Sequence, residues 1–476
     1  MNNDLVRFQP LHKQIRDVIY KRIVDGIYRP GVALPTEPQL AAEFKTSIAP
    51  IRQAVSGLEA DGILRKRQGK GTFVAENKTT LTMVTHLSAY PAVLPIFNAL
   101  LKDFERENPL IAVEHVAVSA YEARDYILSH ITNGRSPDVV QLLTFWTSYF
   151  ASMGALEPLD GLLAGDGSLL NAPRDDFHDG RYQDRLYSLP WGLSPFTHFA
   201  NRNMLDACGI RLSASPVTID EFTQLCGVVD AHYRDDPSMY TYSLTVTGGY
   251  SDFLTIYAYL QAFGGGFTNT KEEVIFNSKE NVAAFAWLRR FVGSTKVLVS
   301  QIEPGRKAFA EGRVAFKLEG PYLKYDIEQI TGQPFEKNFQ VFLNPVCDQS
   351  QPSRSWNNNV ALAICSQSEN KLFAAKLVSF LSRDERLHGV FSRFGYLPGA
   401  KDELDAQEFQ DGFYTVYRRQ LEHSSVINAH HPLFEQAMDL CADSVRKILF
   451  TDTDIEKELD EKEYYLNMLY KKKKFI

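Results

Sequence analysis

The sequence has few cysteines and lacks long apolar segments. Its five cysteines are odd in number and scattered along 476 residues without a CxxC pair. This argues against a disulfide framework and a zinc site, and it is typical of a reducing compartment. No run of about eighteen apolar residues is present that would span a bilayer. Charged side chains also interrupt the first twenty residues, where a secretory signal needs an apolar core. We therefore expect a cytoplasmic protein with no membrane partner.

The composition excludes a disordered or fibrous protein. Hydrophobic residues make up 44% of the chain and charged residues 23%, the proportions of a soluble globular protein. The length predicts roughly three folded units. Charge is distributed unevenly, because residues 1–78 hold 13 Lys and Arg against 8 Asp and Glu, whereas the remainder holds 38 against 50. Nucleic acid is therefore expected to bind the front segment only.

Residues 1–75 have the pattern of a small helical domain. Apolar residues recur at helical spacing between Leu11 and Ile23, which predicts a first amphipathic helix. In LPTEPQLAAEF, Thr36 followed three residues later by Gln39 has the form of a capping box. A short second helix is predicted to start there.

A third helix and a basic hairpin complete this domain. Ser47 can cap a helix whose apolar positions face inward and leave Arg52 and Gln53 outside. The following ILRKRQGKGTFV alternates apolar and basic residues around two glycines, as a two-stranded hairpin does. This order predicts a winged helix-turn-helix whose third helix enters the major groove of double-stranded DNA. The residues expected to contact DNA are Thr36, Ser47, Arg52, Gln53, Arg65, Arg67, Gln68 and Lys70.

The motifs LPTEPQLAAEF, IRQAVSGLEADGIL and RQGKGTFV resemble the N-terminal domain of GntR-family transcription regulators over about seventy residues. The resemblance implies operator binding, with Arg52, the wing glycines and Lys70 at contact positions. The chain departs from the family at Pro38 and Ile48, where the family usually carries arginines that commonly contact DNA. Since a lost bidentate base contact removes about 1–3 kcal/mol of discrimination, we expect an altered or relaxed operator preference.

A polar linker is predicted at residues 76–80, and strand and helix patterns alternate from 81 to 476. LTMVTHLS, IAVEHVAV and PDVVQL are predicted strands with amphipathic helices between them. This alternation predicts an α/β domain with a mainly parallel sheet and a binding site beyond the carboxyl ends of its strands. Strands in GRVAFKLEG and VALAI return after a helix-rich stretch from 219 to about 291. That order indicates two lobes that the chain crosses more than once.

Six further phrases resemble, in the same order, the extracellular solute-binding proteins of bacterial ABC importers, in their carbohydrate-binding group. They are ENPLIAVEHVAV, SPDVVQL, YSLPWGLSPF, LQAFGGGF, FAEGRVAFKLEGPY and FGYLPGAKDEL. The resemblance covers about residues 80 to 465. It implies a two-lobed, periplasmic-binding-protein-like clamshell that closes on a small solute, without catalysis and without a cofactor.

Aromatic and polar residues in predicted loops are the candidates for a solute site, because such sites combine apolar walls with a few polar groups. Three of the four tryptophans fall in loops just after strands, whereas Trp287 is predicted to lie on a helix face. In the resembled family these loops line the cleft. The expected ligand-binding residues are Tyr90, Phe145, Trp146, Trp191, Tyr250, Asp252, Glu319, Tyr322, Trp356 and Asn357, with Asn358 beside them.

No metal or phosphate site is expected. Residues 264–266 are three glycines in a predicted turn, without the arrangement of a phosphate loop. His423, His430 and His431 lack the spacing of metal ligands. The four lysines at 471–474 are predicted to be a solvated helix end.

Together these patterns predict a homodimeric transcription regulator that binds an operator and whose clamshell senses a small molecule, expected to be a carbohydrate. Two alternatives remain open. One is a GntR-type domain joined to an aminotransferase-like enzyme, although no lysine has a convincing setting for pyridoxal phosphate. The other is a solute-binding protein that feeds an importer, against which the missing signal segment argues.

Overall fold

The computed structural model describes residues 10–60, 62–76, 78–163, 180–269, 271, 273–383, 385–399, 401–425 and 431–471. The front unit contains helices α1 (Leu11–Val24), α2 (Glu37–Glu43) and α3 (Ile48–Ala60), followed by strands β1 (Leu64–Arg67) and β2 (Gly71–Val74). The strands pair antiparallel and form the predicted wing. Because apolar residues recur at helical spacing, α1 and α3 each have one apolar face, and these two faces pack together in a small core. The core includes Ile15, Ile19, Ile51, Val55 and Leu58.

The turn of the wing depends on its glycines. Gly69 and Gly71 have φ angles of 70° and 106°, which L side chains rarely adopt. Two glycines at these positions allow the tight reversal between β1 and β2. The tip, residues 65–71, is exposed.

The remaining elements build a two-lobed α/β unit. Its strands are β3 (Thr79–Thr85), β4 (Ile111–Ala117), β5 (Val139–Leu143), β6 (Arg181–Tyr182), β7 (Arg185–Leu186), β8 (Ser188–Leu193), β9 (Thr197–Asn201), β10 (Tyr240–Thr245), β11 (Val297–Ser300), β12 (Val314–Glu319), β13 (Phe339–Phe342), β14 (Ser355–Trp356), β15 (Val360–Ile364), β16 (Leu397–Pro398) and β17 (Ser424–Ser425). Its helices are α4 (Leu94–Glu107), α5 (Ala120–Thr132), α6 (Thr147–Ser152), α7 (Arg202–Ala207), α8 (Ile219–His232), α9 (Ser251–Leu254), α10 (Tyr257–Ala262), α11 (Lys279–Ser294), α12 (Ile302–Ala310), α13 (Leu323–Thr331), α14 (Phe335–Asn338), α15 (Lys371–Arg383), α16 (His388–Phe394), α17 (Gly412–Leu421), α18 (Phe434–Phe450) and α19 (Ile455–Lys471).

Each lobe is built on one sheet. The first lobe has six strands in the order β16-β8-β15-β5-β3-β4, and the second has five in the order β11-β10-β12-β9-β13. Both sheets are mixed: β3 pairs parallel with β4 and β5, whereas β15 pairs antiparallel with β5 and β8. The second sheet likewise combines parallel pairs of β10 with antiparallel pairs of β9. The expectation of a mainly parallel sheet is therefore wrong, because strands returning from the other lobe enter each sheet in the opposite direction.

The chain crosses between the lobes more than once, as the sequence predicts. β8 belongs to the first sheet and β9 to the second, and only three residues separate them. The return crossing runs beside the outgoing one between β13 and β15. There, Ser194 N–H donates to Asn359 Oδ1 and Asn358 N–H donates to the Ser194 carbonyl, both at 2.9 Å. These bonds tie the two crossings together at a hinge.

One boundary differs in detail from the expected one. β3 begins at Thr79, so the final residues of the segment predicted as a linker, 76–80, already belong to the first sheet. Thr79 N–H donates to the Leu110 carbonyl at 2.8 Å, a partner that is distant in sequence.

Trp287 lies in α11 and is 6% exposed, as predicted for a helix face. Of the four lysines at 471–474, only Lys471 falls among the described residues, as the last residue of α19.

Candidate functional site

The surface predicted to face DNA is exposed. Thr36, Ser47, Arg52 and Gln53 are all exposed around α2 and α3, as are the wing residues Arg65, Arg67, Gln68 and Lys70. The predicted capping box is present, since Gln39 Oε1 accepts the Thr36 backbone N–H at 2.8 Å. Pro38 and Ile48, where the chain departs from the resembled family, are also exposed. Exposed apolar side chains therefore stand where arginines would add charge.

Two of the arginines on this surface are held by neighbouring groups. Arg52 Nε lies 3.0 Å from Glu37 Oε2, which links α3 to α2. The Arg67 guanidinium lies 4.6 Å from the centre of the Phe73 ring across the wing, and 3.2 Å from Glu76 Oε1. Both ion pairs are solvent-exposed and contribute little to stability, so either arginine can exchange its carboxylate for a phosphate at small cost.

A cavity lies between the two lobes, next to the hinge. Its volume is about 200 Å³, far more space than a single water molecule requires. Both lobes and the hinge contribute to the lining, so a solute here would touch both sheets at once. The lining residues include His86, Tyr90, Gln141, Trp191, Phe196, Thr245, Tyr250, Glu303, Arg306, Glu319, Tyr322, Trp356, Asn358, Phe391, Phe394 and Tyr396.

Aromatic rings from both lobes form much of the wall. Tyr90 packs edge-on against Phe394 with 4.6 Å between ring centres, and Tyr322 and Tyr396 lie 5.9 Å apart. At the hinge, the Phe196 and Trp356 rings are 4.5 Å apart. Burial raises the pKa of the Tyr90, Tyr322 and Tyr396 hydroxyls. These three tyrosines stay protonated at neutral pH and can donate hydrogen bonds to a solute.

A charged cluster occupies the second lobe's side of the cavity. Arg306 Nε lies 3.3 Å from Glu319 Oε2, and Arg306 Nη1 lies 3.0 Å from Asp326 Oδ2. The side chain of Lys317 is fully buried beside this pair. Its Nζ donates to Thr245 Oγ1 at 3.0 Å and lies 3.7 Å from Glu319 Oε2. The two cations and two carboxylates compensate one another within this cluster.

The pKa values in this cluster follow from burial and these neighbours. Burial alone would raise the pKa of Glu319, but the Arg306 and Lys317 charges outweigh it and the pKa is lowered. Burial lowers the pKa of Lys317 despite the nearby Glu319 carboxylate. Burial raises the pKa of Asp326, and the opposing Arg306 charge does not cancel that rise. Glu319 is therefore the carboxylate of the cluster that most firmly keeps its charge.

Two buried side-chain polar atoms of lining residues have no hydrogen-bond partner within the described part of the chain, namely His86 Nε2 and Trp356 Nε1. Burial lowers the pKa of His86 to about 4, so its ring is neutral at physiological pH. An unpaired buried polar atom costs about 1–3 kcal/mol. A bound solute that supplied partners for both would recover part of that cost.

Six of the ten residues expected to bind ligand line this cavity: Tyr90, Trp191, Tyr250, Glu319, Tyr322 and Trp356. Asn358 lines it as well, whereas the neighbouring Asn357 does not and bridges to Pro195 at the hinge. Phe145 and Trp146 pack behind the lining, with Phe145 5.8 Å from Tyr250 and Trp146 5.6 Å from His86, measured between ring centres.

Asp252 is the clearest departure from the expected ligand set. It is 1% exposed, and its oxygens accept from the Thr247 N–H at 2.5 Å and from Arg446 Nη1 at 2.8 Å. These bonds fix the loop before α9 and leave Asp252 outside the cavity lining. The sequence predicted Asp252 in a loop, whereas it lies in the first turn of α9, where the distant Arg446 pairs with it.

Several lining residues were not predicted from the sequence. His86 directly follows β3, so the rule that selected Tyr90 could have found it. Tyr396 lies in FGYLPGAKDEL, a phrase already noted for its resemblance. Arg306 lies within α12, and no local signal marks a helical arginine as a lining residue.

Within the described ranges, no group of three or more His, Cys, Asp or Glu side chains could hold a metal ion. His430, one of the three histidines considered above, lies outside those ranges. Over the same part of the chain, each helix is too short or too polar to cross a membrane.

Two protein families match the chain. The family described as bacterial extracellular solute-binding protein matches residues 99–413. The family of bacterial regulatory proteins called gntR matches residues 11–74. The first match lies within the two-lobed unit and covers more than half of the chain, and the second coincides with the winged helical unit.

One relative matches a short stretch of the chain. The probable fructoselysine utilization operon transcriptional repressor of Escherichia coli (strain K12) is 38% identical over 82 residues, which is 17% of this chain and 34% of that protein. The chain thus spans about a third of the length of this relative.

Solved structures match the two-lobed unit. An ABC transporter solute-binding protein from Thermotoga lettingae, bound with alpha-D-tagatose, has a TM-score of 0.71 at 22% identity, over 83% of this chain and all of that one. UgpB from Mycobacterium tuberculosis, in complex with glycerophosphocholine, has a TM-score of 0.73 at 17% identity, over 84% of this chain and all of that one. At these identities the likeness establishes the two-lobed fold.

Proposed function

The chain belongs to the family of bacterial extracellular solute-binding proteins and carries a gntR-type domain at its N-terminus, and we propose that it is a ligand-responsive transcription regulator that acts in the cytoplasm. One observation carries the proposal: an exposed basic wing and a cavity between two lobes occur on the same chain. A DNA-binding surface needs access to DNA, which is why we place the protein in the cytoplasm rather than with exported solute-binding proteins.

The proposed effector is a carbohydrate. Several aromatic rings from both lobes offer flat apolar faces, and protonated tyrosines with the Glu319 carboxylate offer donors and acceptors for hydroxyl groups. A compensated charge cluster favours a neutral, polyhydroxylated solute over an ion. The tagatose-bound relative from Thermotoga lettingae is consistent with this class.

Regulation would follow from the two-lobed architecture. A solute that contacts both walls binds the closed arrangement of the lobes better than the open one. The equilibrium between the open and closed arrangements shifts only by that difference in affinity. A coupling of about 1–3 kcal/mol would change operator affinity roughly 5- to 150-fold. We propose that the regulator acts as a homodimer, because helix-turn-helix proteins bind paired half-sites about one helical turn or a multiple apart.

The decisive experiment is fluorescence anisotropy of the full chain on labelled DNA from upstream of its own gene, with D-tagatose, D-glucose, maltose and maltotriose as probes. The proposal expects a salt-sensitive complex whose dissociation constant changes several-fold with at least one sugar. DNA binding that no sugar alters would reject the carbohydrate effector, and a complex no tighter than that with random DNA would reject the operator function.

A further inference from the structure

The DNA-binding unit packs directly on the first lobe through α1 and α15. The Tyr20 ring on α1 meets the Phe373 ring on α15 edge-on, with 5.4 Å between their centres. Val24, the last residue of α1, is 9% exposed and belongs to the large core of the two-lobed unit. Lys376 on α15 donates from Nζ to the Val24 carbonyl at 2.5 Å.

The hydrogen bond from Lys376 to the Val24 carbonyl is favoured by the charge distribution at the end of a helix. The last carbonyls of a helix lack intrahelical partners and carry its negative dipole end, so a lysine donor is favourable there. Burial lowers the pKa of Lys376, while the Asp25 carboxylate just beyond α1 opposes that shift. The bond to Val24 thus helps to offset the cost of partly burying this cation, and it sets where α1 ends relative to α15.

The C-terminal end of α15 touches the wall of the cavity. Trp191 on β8 lines the cavity and is 3% exposed. Its indole Nε1–H donates to the Leu381 carbonyl on α15 at 2.9 Å. Leu381 lies in the last turn of α15, where carbonyls again lack intrahelical partners. The Trp191 ring also packs edge-on against Phe391 of the following helix, α16, at 5.4 Å.

α15 therefore connects a cavity residue to the DNA-binding unit by two side-chain hydrogen bonds to helix-end carbonyls. Lys376 and Leu381 are five residues apart, or about 7.5 Å along a helix. A packed helical segment of this length moves as a rigid body. A displacement of the helix at Leu381 therefore also displaces Lys376. A solute that shifts the Trp191 indole must break the bond to Leu381 or move α15.

We propose that Trp191 and Lys376 are positioning residues that couple the cavity to the docking of the DNA-binding unit, with α15 as the connecting element. The regulatory role of this connection rests on the proposed function. The structural connection from Trp191 through α15 to α1 does not depend on it. Occupation of the cavity changes the α15 position, and α15 sets the orientation of α1 and hence of α3 and the wing.

Hydrogen-deuterium exchange on the full chain tests the link without any ligand. The readout is exchange of amides in residues 20–28 relative to α8 in the second lobe, an internal reference against general destabilisation. Trp191→Phe keeps a ring but removes the indole N–H, and Lys376→Met keeps the stem but removes the donor. Trp356→Phe is the matched control, because Trp356 lines the same cavity and its indole Nε1 has no hydrogen-bond partner among the described residues.

We expect Trp191→Phe and Lys376→Met each to speed exchange in residues 20–28 roughly 3- to 10-fold, the factor that loss of one hydrogen bond produces. Trp356→Phe should leave it unchanged. An effect of Lys376→Met without one of Trp191→Phe would overturn the link, as would an equal effect of Trp356→Phe. If Trp191→Phe unfolds the chain, Phe373→Leu on α15 must instead speed exchange in both residues 20–28 and β8.

The anisotropy assay separates failure of the link from failure of the proposed function. If a sugar shifts DNA binding equally in wild type and Lys376→Met, the function stands and the coupling route is refuted. If no sugar shifts DNA binding in wild type although exchange in residues 20–28 responds to Trp191→Phe, the link stands and the regulatory function is refuted.

Discussion

The Arg306 guanidinium and the Glu319 carboxylate form an ion pair in the cavity wall, with 3.3 Å between Arg306 Nε and Glu319 Oε2, and the Glu319 side chain is only 6% exposed. Glu319 also compensates Lys317, whose side chain is fully buried. Glu319→Gln should lower the free energy of unfolding by about 3–5 kcal/mol, because it leaves buried positive charge without its partner. Denaturant unfolding of both proteins at pH 7 measures the difference.

Glu303→Gln is the control for this variant. Glu303 also lines the cavity but is exposed, so its loss should change the free energy of unfolding by less than about 0.5 kcal/mol. Equal effects of the two variants would show that the Glu319 ion pair has no special role. Since the pKa of Glu319 is lowered in the folded state, its stabilising contribution is full above the ordinary carboxyl pKa and is lost as pH falls below it.

Lys70 at the tip of the wing should contribute through phosphate charge alone. Lys70→Ala is expected to weaken binding to all DNA sequences and to reduce the slope of log affinity against log salt by about one unit. Anisotropy titrations at several salt concentrations measure both quantities. Arg211→Ala, which removes an exposed cation from the second lobe, should change neither, and an unchanged slope in Lys70→Ala would contradict the proposed wing contact.

Ile48 is 40% exposed in the first turn of α3, where the resembled family usually carries an arginine. Ile48→Arg should tighten DNA binding and raise the salt slope by about one unit, because it adds a cation on the DNA-facing surface. Ile48→Gln is the neutral polar control and should leave the slope unchanged. If Ile48→Arg binds no more tightly than Ile48→Gln, α3 does not approach the DNA backbone at this position.

The front unit was predictable because its signals are local. Helical spacing of Ile15, Ile19 and Ile23 and the glycines of the wing act within a few residues of one another, and the structure has the predicted helices and hairpin. The two lobes were predictable from strand order and from the resemblance. The strand directions were not, because pairing of β15 with both β5 and β8 depends on contacts between segments far apart in sequence.

The cavity was only partly predictable for the same reason. Tyr90 could be chosen because it follows β3. Trp191 and Trp356 were chosen as loop residues, but they lie in β8 and β14 and still line the cavity. Asp252 was chosen because it also follows a strand, but it pairs with Arg446, 194 residues away in the sequence. This ion pair gives Asp252 a structural role. Arg306 is the converse case, a helical residue that only tertiary packing places beside Glu319 and Asp326 in the wall.

Buried neutral histidines make stability depend on pH, and His198 is the best placed to show it. Burial lowers its pKa from 6.5 to about 4. Its Nδ1 lies 2.9 Å from Asn344 Oδ1 and its Nε2 lies 2.7 Å from the Tyr259 hydroxyl. Between pH 6.5 and pH 4 the unfolded chain binds a proton here that the folded chain does not, so the free energy of unfolding falls as the pH falls.

Each such histidine contributes a slope of up to about 1.4 kcal/mol per pH unit. His198→Gln keeps a donor and an acceptor but cannot titrate, so it should flatten the pH dependence by up to that amount across this range. Chemical unfolding at half-unit steps of pH measures the slope. His232→Gln, at an exposed position, should leave it unaltered. A wild-type slope retained in His198→Gln would mean that His198 does not carry the pH dependence, contrary to the effect expected from its complete burial.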